Sequence, residues 1–400
     1  MSFVEPGAPD DRASEARAGF ESSYGSAASL VGRAPGRVNL IGEHTDYNAG
    51  LCLPLALPHA TYAAVARRDD GKVRIASRQA ADPWEGSVDT LGADTVSGWA
   101  SYVAGVLWAL REAGHDVPGI DVFIDSTVPL GAGLSSSAAL ECSVAVAVAD
   151  LLGLDPTPEL RRDLVAACIR AETEVAGAPT GGMDQTVSML AESGAALLID
   201  FEDHTTRPVP LALDDGGLAL LVTDTRVSHA LIDGGYASRR QDCEAAAERL
   251  GVPSLRHADL AAVEALDDER VRRRARHVVT EIGRVRDAVA AIETGDWQEL
   301  GRQFLASHVS MREDFEISCP ELDTVVQTAV EAGAVGARMT GGGFGGSAIS
   351  LVPVERLAAV MRAVDAAFVA AGYRAPAHLR AEASAAAGVV STGSTTGRDG

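Results

Sequence analysis

The 400-residue chain is 46% hydrophobic and 22% charged, the composition of a folded globular protein long enough to make two domains. Its net charge of −22, spread along the chain, opposes nucleic acid and anionic membranes. No apolar run approaches a membrane span, and the first residues lack the basic and apolar regions of a signal peptide. Cysteines 52, 142, 168, 243 and 319 are odd in number and widely spaced, which suits reduced thiols in the cytoplasm. Lys72 is the only lysine, and Val73 follows it, so a P-loop is excluded. A protein kinase is excluded too, since His-Arg-Asp and Asp-Phe-Gly are absent. Any phosphate handling has to use backbone amides, arginine and metal.

In chain order, residues 1–25 are small, polar and acidic and are expected to be poorly ordered. Residues 33–57 read as strand, charged turn, strand. The turn holds Gly36-Arg37-Val38-Asn39-Leu40-Ile41-Gly42-Glu43-His44-Thr45-Asp46-Tyr47, and the chain's two asparagines, Asn39 and Asn48, both lie in this stretch. Residues 61–67 and 72–77 suggest a hairpin. Residues 99–113 look helical and 120–125 alternate as a strand. A glycine-rich turn and a long Ala/Val helix to about 152 follow. Helices are expected over 160–176 and 183–192, strands over 195–201 and 218–224, and mostly helix over 229–327. A glycine-rich loop in 338–353 runs into a strand, then a helix over 354–371. The tail, 391–400, is expected to be disordered. Strands and helices mix without steady β-α-β alternation, so the fold class is α+β.

Three loops carry possible chemistry. Gly131-Ala132-Gly133-Leu134-Ser135-Ser136-Ser137 joins a strand to a helix. Free amides at the helix start make it an anion cradle, with serine hydroxyls available to a hard metal. It also reads as a serine-capped helix after a turn; the triple serine favours the cradle. Asp184 follows the loop 177–182 near a helix start, where an acid also simply complements the helix dipole. Glu172 sits between Arg170 and Glu174, as on a solvated helix face. The loop Gly341-Gly342-Gly343-Phe344-Gly345-Gly346 formally matches Gly-x-Gly-x-x-Gly, but it runs into a strand and lacks the acidic partner of a dinucleotide site. So many glycines still imply close backbone approach to a ligand or another loop.

Taken together and in this order, the loops resemble those of the GHMP sugar and metabolite kinases, and most nearly the galactokinase family, over roughly 34–351. The Glu-His-x-Asp-Tyr run is the specific part. Ser347 departs from the cysteine often found there. The resemblance implies a two-domain fold, with domains at 26–200 and 201–390 and the active site in the cleft between them. It implies ATP-dependent phosphorylation of the anomeric hydroxyl of α-D-galactose with Mg²⁺, by a protein without nucleic-acid or membrane partners, expected to be monomeric. Asp184 matches the catalytic aspartate and Arg37 the arginine beside it. Glu43, His44, Thr45, Asp46, Gly181 and Tyr236 match the sugar site. Gly131, Ala132, Gly133, Leu134, Ser135, Ser136 and Ser137 match the nucleotide loop, with Ser77 a weaker nucleotide candidate. Ser137 and Glu172 match the Mg²⁺ ligands. Trp99 and Trp108 suit either a base pocket or core packing. The other readings are a kinase for N-acetylgalactosamine or another sugar, and a non-catalytic sensor of galactose and ATP. The intact serine loop with Asp184 and Arg37 favours catalysis.

Overall fold

The computed structural model describes residues 3–227 and 232–391. The chain opens on α1 (Pro9–Tyr24), followed by β1 (Leu30–Asn39), β2 (Leu51–Cys52), β3 (Pro54–Arg68), β4 (Lys72–Ser77) and β5 (Trp84–Ser87). Then come α2 (Ala100–Glu112), β6 (Gly119–Ser126), α3 (Ser136–Leu151), α4 (Pro158–Arg170), a π-helical turn (Ala171–Val175) and α5 (Met183–Leu190). Strands β7 (Ala195–Asp200), β8 (Thr205–Pro210) and β9 (Leu218–Asp224) lead into helices α6 (Ile232–Leu250), α7 (Leu260–Glu264), α8 (Glu269–Thr294), α9 (Trp297–Glu313) and α10 (Pro320–Glu331). The chain ends with β10 (Gly336–Thr340), β11 (Ser347–Pro353), α11 (Leu357–Ala371), β12 (Ala377–Ala381) and β13 (Gly388–Val389).

The expected disorder of residues 1–25 does not hold. Pro9 starts α1, Asp10 and Asp11 occupy its first turn, and Gly25 ends it at φ 72°. Ala13, Ala16 and Phe20 form one buried stripe against Tyr62 and Phe123. Two of its three buried side chains are alanines, so the apolar signal in the sequence is faint. The expected tail disorder concerns residues that, beyond Ser391, lie outside the described ones.

Three sheets organise the molecule: a six-stranded one ordered β13-β1-β3-β6-β4-β5, a four-stranded one ordered β10-β11-β9-β12, and a small one ordered β2-β7-β8. The hairpin expected between 61–67 and 72–77 does not form. β6 inserts between those strands, antiparallel to β3 and parallel to β4. β6 is buried nearly throughout, which makes it a central strand, and residues 119–126 supply the pairing that local turn chemistry assigned to 72–77. Helices α2, α3 and α4 cover one face of this sheet and α1 the other. The four-stranded sheet is packed by α9, α10 and α11. The chain crosses the expected boundary at 200: β13 pairs back onto β1, and one core includes Val38, Leu40 and Leu53 together with Val278, Phe304 and Ile349. The end of β1 is thus embedded in the C-terminal core, which fixes the charged turn that follows.

Candidate active site

β1 shifts register between Pro35 and Arg37. Such a bulge bends the strand and re-aims a side chain. Here it accompanies Arg37 reaching α5, where Nε and Nη2 donate to the two carboxylate oxygens of Asp184, both at 2.9 Å. Nη1 donates to the Gly133 carbonyl at 2.6 Å. Asp184 lies in the first turn of α5, after Gly182 at φ 93°. The Ser135 hydroxyl also donates to it, at 2.5 Å. That hydroxyl therefore does not cap α3. Ser135 is held at φ 60°, a conformation uncommon for a side-chain-bearing residue. Gly131 and Gly133 in the same loop are both at positive φ and exposed.

Beside Asp184 lies a cavity of about 350 Å³ lined by Arg37, Glu43, His44, Asp46, Glu172 and Tyr236, among others. Asp46 is a half-buried carboxyl on the cavity wall. Burial, followed by the charge of Asp184, pushes it up to about 6, against the Tyr47 amide and Arg37. Gly181 packs so closely that a Cβ there would fall 1.9 Å from Asp46 Oδ2. Tyr236 lies edge-on to Tyr47 and tilted against His44.

Three members of the charged turn are bonded to the protein itself, and Glu43 and His44 among them also line the cavity. Glu43 is 2% exposed, accepting from the Gly341 amide at 3.1 Å and from Arg338. Burial holds its carboxyl above the usual range despite Arg338. His44, at φ 62°, donates from Nε2 to the Gly342 carbonyl at 3.1 Å and accepts at Nδ1 from Tyr47 at 2.8 Å. Burial lowers it to about 3, so its ring is neutral. Thr45 donates to the Gly42 and Leu51 carbonyls.

The glycines after β10 face other loops. A Cβ on Gly341 would meet the Gly133 carbonyl, and one on Gly346 the Ala132 carbonyl. The Ser347 hydroxyl donates to Ala132 O at 2.7 Å, so the departure at this position is accommodated by a hydrogen bond. Arg338, fully buried, donates to the Asn39 and Leu40 carbonyls at 3.2 and 2.8 Å as well as to Glu43. The Thr340 hydroxyl joins both the amide and carbonyl of Asn39. The C-terminal glycine motif thus clamps both the serine loop and the charged turn.

Glu172 is no solvated helix face. It sits in the π-helical turn, 8% exposed, with Gln185 donating to it at 2.5 Å. Such turns occur often at functional sites. Burial first, and then Asp184, pushes its carboxyl up to about 7, while a Ser137 hydroxyl bond pulls the other way. Glu141 shares Gln185, and burial, then Glu172, drives its carboxyl well above the ordinary range. Ser77 is not brought to this cavity. It ends β4 on a separate cavity of about 450 Å³ with Tyr24, Arg74 and Trp84. Trp99 and Trp108 pack against the core beneath α2. Arg338, Glu281 and Gln185 were not singled out from the sequence: each looks there like an ordinary strand or helix residue, and only burial reveals it.

A model of the galactokinase galactose-binding signature matches residues 18–67, and models of the GHMP kinase N-terminal and C-terminal domains match 101–192 and 288–370. The chain is 53% identical to a galactokinase of Streptomyces coelicolor over 375 residues, covering 92% of this chain and 96% of that protein. It is 42% identical to a human galactokinase over 363 residues, covering 88% and 91%. It superposes on Lactococcus lactis galactokinase complexed with galactose at a TM-score of 0.88, with 31% identity over 94% of this chain and 98% of that one. Methanococcus jannaschii mevalonate kinase, 15% identical at a TM-score of 0.66 over 89% of this chain and 98% of that one, shares the fold alone.

Proposed function

The chain belongs to the galactokinase family of the GHMP kinases, and from that membership we propose that it transfers the γ-phosphoryl group of ATP to the anomeric C1 hydroxyl of α-D-galactose, giving α-D-galactose 1-phosphate and ADP. The supporting observation is the bidentate Arg37–Asp184 pair at the wall of a cavity that Glu43, His44 and Asp46 also line. A sugar held by that turn presents a hydroxyl to a carboxylate already flanked by a guanidinium.

Asp184 accepts the C1 proton or holds that hydroxyl in line, and Arg37 stabilises charge on the transferring phosphoryl group. Asp46 accepts hydrogen bonds from sugar hydroxyls, and Tyr236 covers the ring. Glu43, His44 and Thr45, already bonded to the protein, shape the turn. Gly131 to Ser137 bind the nucleotide phosphates through amides and hydroxyls.

Among the described residues no group of three or more His, Cys, Asp or Glu forms a metal cage. A hydroxyl and a carboxylate, Ser137 and Glu172, suit Mg²⁺, which keeps waters and phosphate oxygens as its other ligands. The raised carboxyl of Glu172 fits this reading, because a cation offsets the burial and the Asp184 charge that raise it. When bound, the cation neutralises charge on the phosphates. The same reading makes the protein a cytoplasmic monomer acting on two small molecules. Among the described residues no helix is long and apolar enough to cross a membrane.

The test is ADP release by the purified protein with galactose, glucose and N-acetylgalactosamine. Buried polar groups reject substrates that lack their hydroxyl partner, so glucose should have a kcat/KM at least about a hundredfold below galactose. Comparable values for galactose and either other sugar would refute the assignment.

A further inference from the structure

Gln185 follows Asp184 in α5 and is fully buried. Its Nε2 donates to two acids, Glu172 Oε2 at 2.5 Å and Glu141 Oε2 at 3.0 Å. An amide nitrogen carries two protons, and both are spent here. The acids come from different elements. Glu141 stands on α3, the helix that begins at the serine loop, and Glu172 on the π-helical turn. One amide therefore joins the phosphate cradle, the acid facing Ser137 and the helix that carries Asp184.

The chemistry of the joint is selective. As placed, the Gln185 amide nitrogen faces both carboxyl groups, so Glu141 anchors the end of Gln185 that donates to Glu172. A lysine or arginine in its place would bring a competing positive charge to the acid. A neutral donor orients Glu172 Oε2 without supplying charge. Glu141 Oε1 and Gln185 Oε1 are buried without a partner. Buried unsatisfied atoms are few in native structures and call for an explanation.

We propose that Gln185, anchored by Glu141, is a positioning residue for the cation site, holding the Glu172 carboxylate against Ser137 so that a nucleotide-bound divalent cation meets a preset ligand. This rests on the reading that Ser137 and Glu172 bind the cation. Partners that orient a metal ligand typically change metal affinity by about 10- to 100-fold when removed.

The test measures Mn²⁺ binding to the full-length protein in the presence of ADP, by electron paramagnetic resonance, with galactose binding followed by calorimetry. Gln185→Met and Glu141→Leu break the joint from two different helices, so either decides if the other does not fold. Each should weaken Mn²⁺ binding about 10- to 100-fold, leaving galactose affinity as in the unaltered protein. Glu141→Gln keeps a carbonyl that accepts from Gln185 and should restore Mn²⁺ binding. If Glu172→Gln weakens Mn²⁺ binding while Gln185→Met and Glu141→Leu do not, the positioning role is overturned and the cation site stands. Equal losses of galactose and Mn²⁺ binding would make the joint mere core packing and overturn the role too. If Glu172→Gln itself leaves Mn²⁺ binding unchanged, the cation-site reading fails and this inference with it.

Discussion

Arg37 and Asp184, 147 residues apart in the chain, meet through two parallel hydrogen bonds of 2.9 Å. A bidentate guanidinium–carboxylate pair fixes direction as well as distance. Ser135 adds a third donor to the same carboxylate. The aspartate is thus locked by groups from β1 and the serine loop before any substrate arrives, which is what pre-positioned chemistry requires.

Asp184→Asn keeps the shape and removes the basicity. Positioned proton transfer contributes about a hundredfold to ten-thousandfold, so kcat should fall at least about a hundredfold. Calorimetric ATP binding should persist. Retention of more than about a tenth of the wild-type kcat would show that Asp184 orients the sugar without taking its proton, because a lost transition-state interaction must appear in kcat.

Gly181→Ala is a steric probe of the proposed sugar site. The new methyl would sit 1.9 Å from Asp46 Oδ2, so the carboxylate has to move. Misplacement by about 1 Å can lower activity about a hundredfold. Galactose KM should rise at least about tenfold on that basis, with ADP affinity unchanged. An unaltered galactose KM would show that Asp46 does not contact the sugar.

Asp46 also predicts a pH dependence. Burial is the main reason its carboxyl reaches about 6, and Asp184 adds to it. The ionised form is the better acceptor for sugar hydroxyls. Galactose binding, measured without nucleotide, should therefore weaken as pH falls through about 6 and level off above about 7. One pH unit below the midpoint about a tenth of the group is ionised, so affinity at pH 5 should be about tenfold lower than at pH 8. Asp46→Asn should bind weakly with a flat profile. A flat profile in the unaltered protein would exclude Asp46 as the acceptor.

The three loops were legible because each couples an unusual residue type to a backbone need. Glycine-serine runs start helices over anions, and an Arg-Glu-His-Asp cluster beside the only asparagines stands out from an ordinary solvated turn. Which of those polar groups face the cavity was not legible. Glu43 and His44 line the cavity yet are also bonded to Arg338, Gly341, Gly342 and Tyr47, and the Glu43–Arg338 contact spans 295 residues. The false hairpin has the same origin: local turn residues at 68–71 outweighed a distant strand, β6, that pairs with both neighbours. Helix α1 was missed for a different reason, since alanines bury without a strong apolar signature.

Arg338 tests whether the clamp on the charged turn matters to sugar binding as well as stability. It is fully buried, and its partners include Glu43 at 2% and two backbone carbonyls of β1 and the turn. Glu281, also fully buried, accepts from the Gly42 amide at 3.0 Å and Ser307 at 2.6 Å. Burial raises the Glu281 carboxyl, yet Arg284, His277 and Arg338 outweigh that and bring it to about 2. Arg338→Met therefore leaves the buried Glu43 carboxyl without its cation and frees the turn's carbonyls. Removing one partner of a buried pair costs about 3–5 kcal/mol, largely through the orphaned charge. Urea unfolding should show a loss of that size, about 3–5 kcal/mol, and galactose KM should rise more than the KM for ATP. The double variant Arg338→Met/Glu43→Gln removes the orphan and should recover at least about half of the stability on the same basis. Galactose affinity should not return with it, because the two carbonyl contacts that hold β1 and the turn are still missing. A double variant that regains both would confine the role of Arg338 to neutralising Glu43.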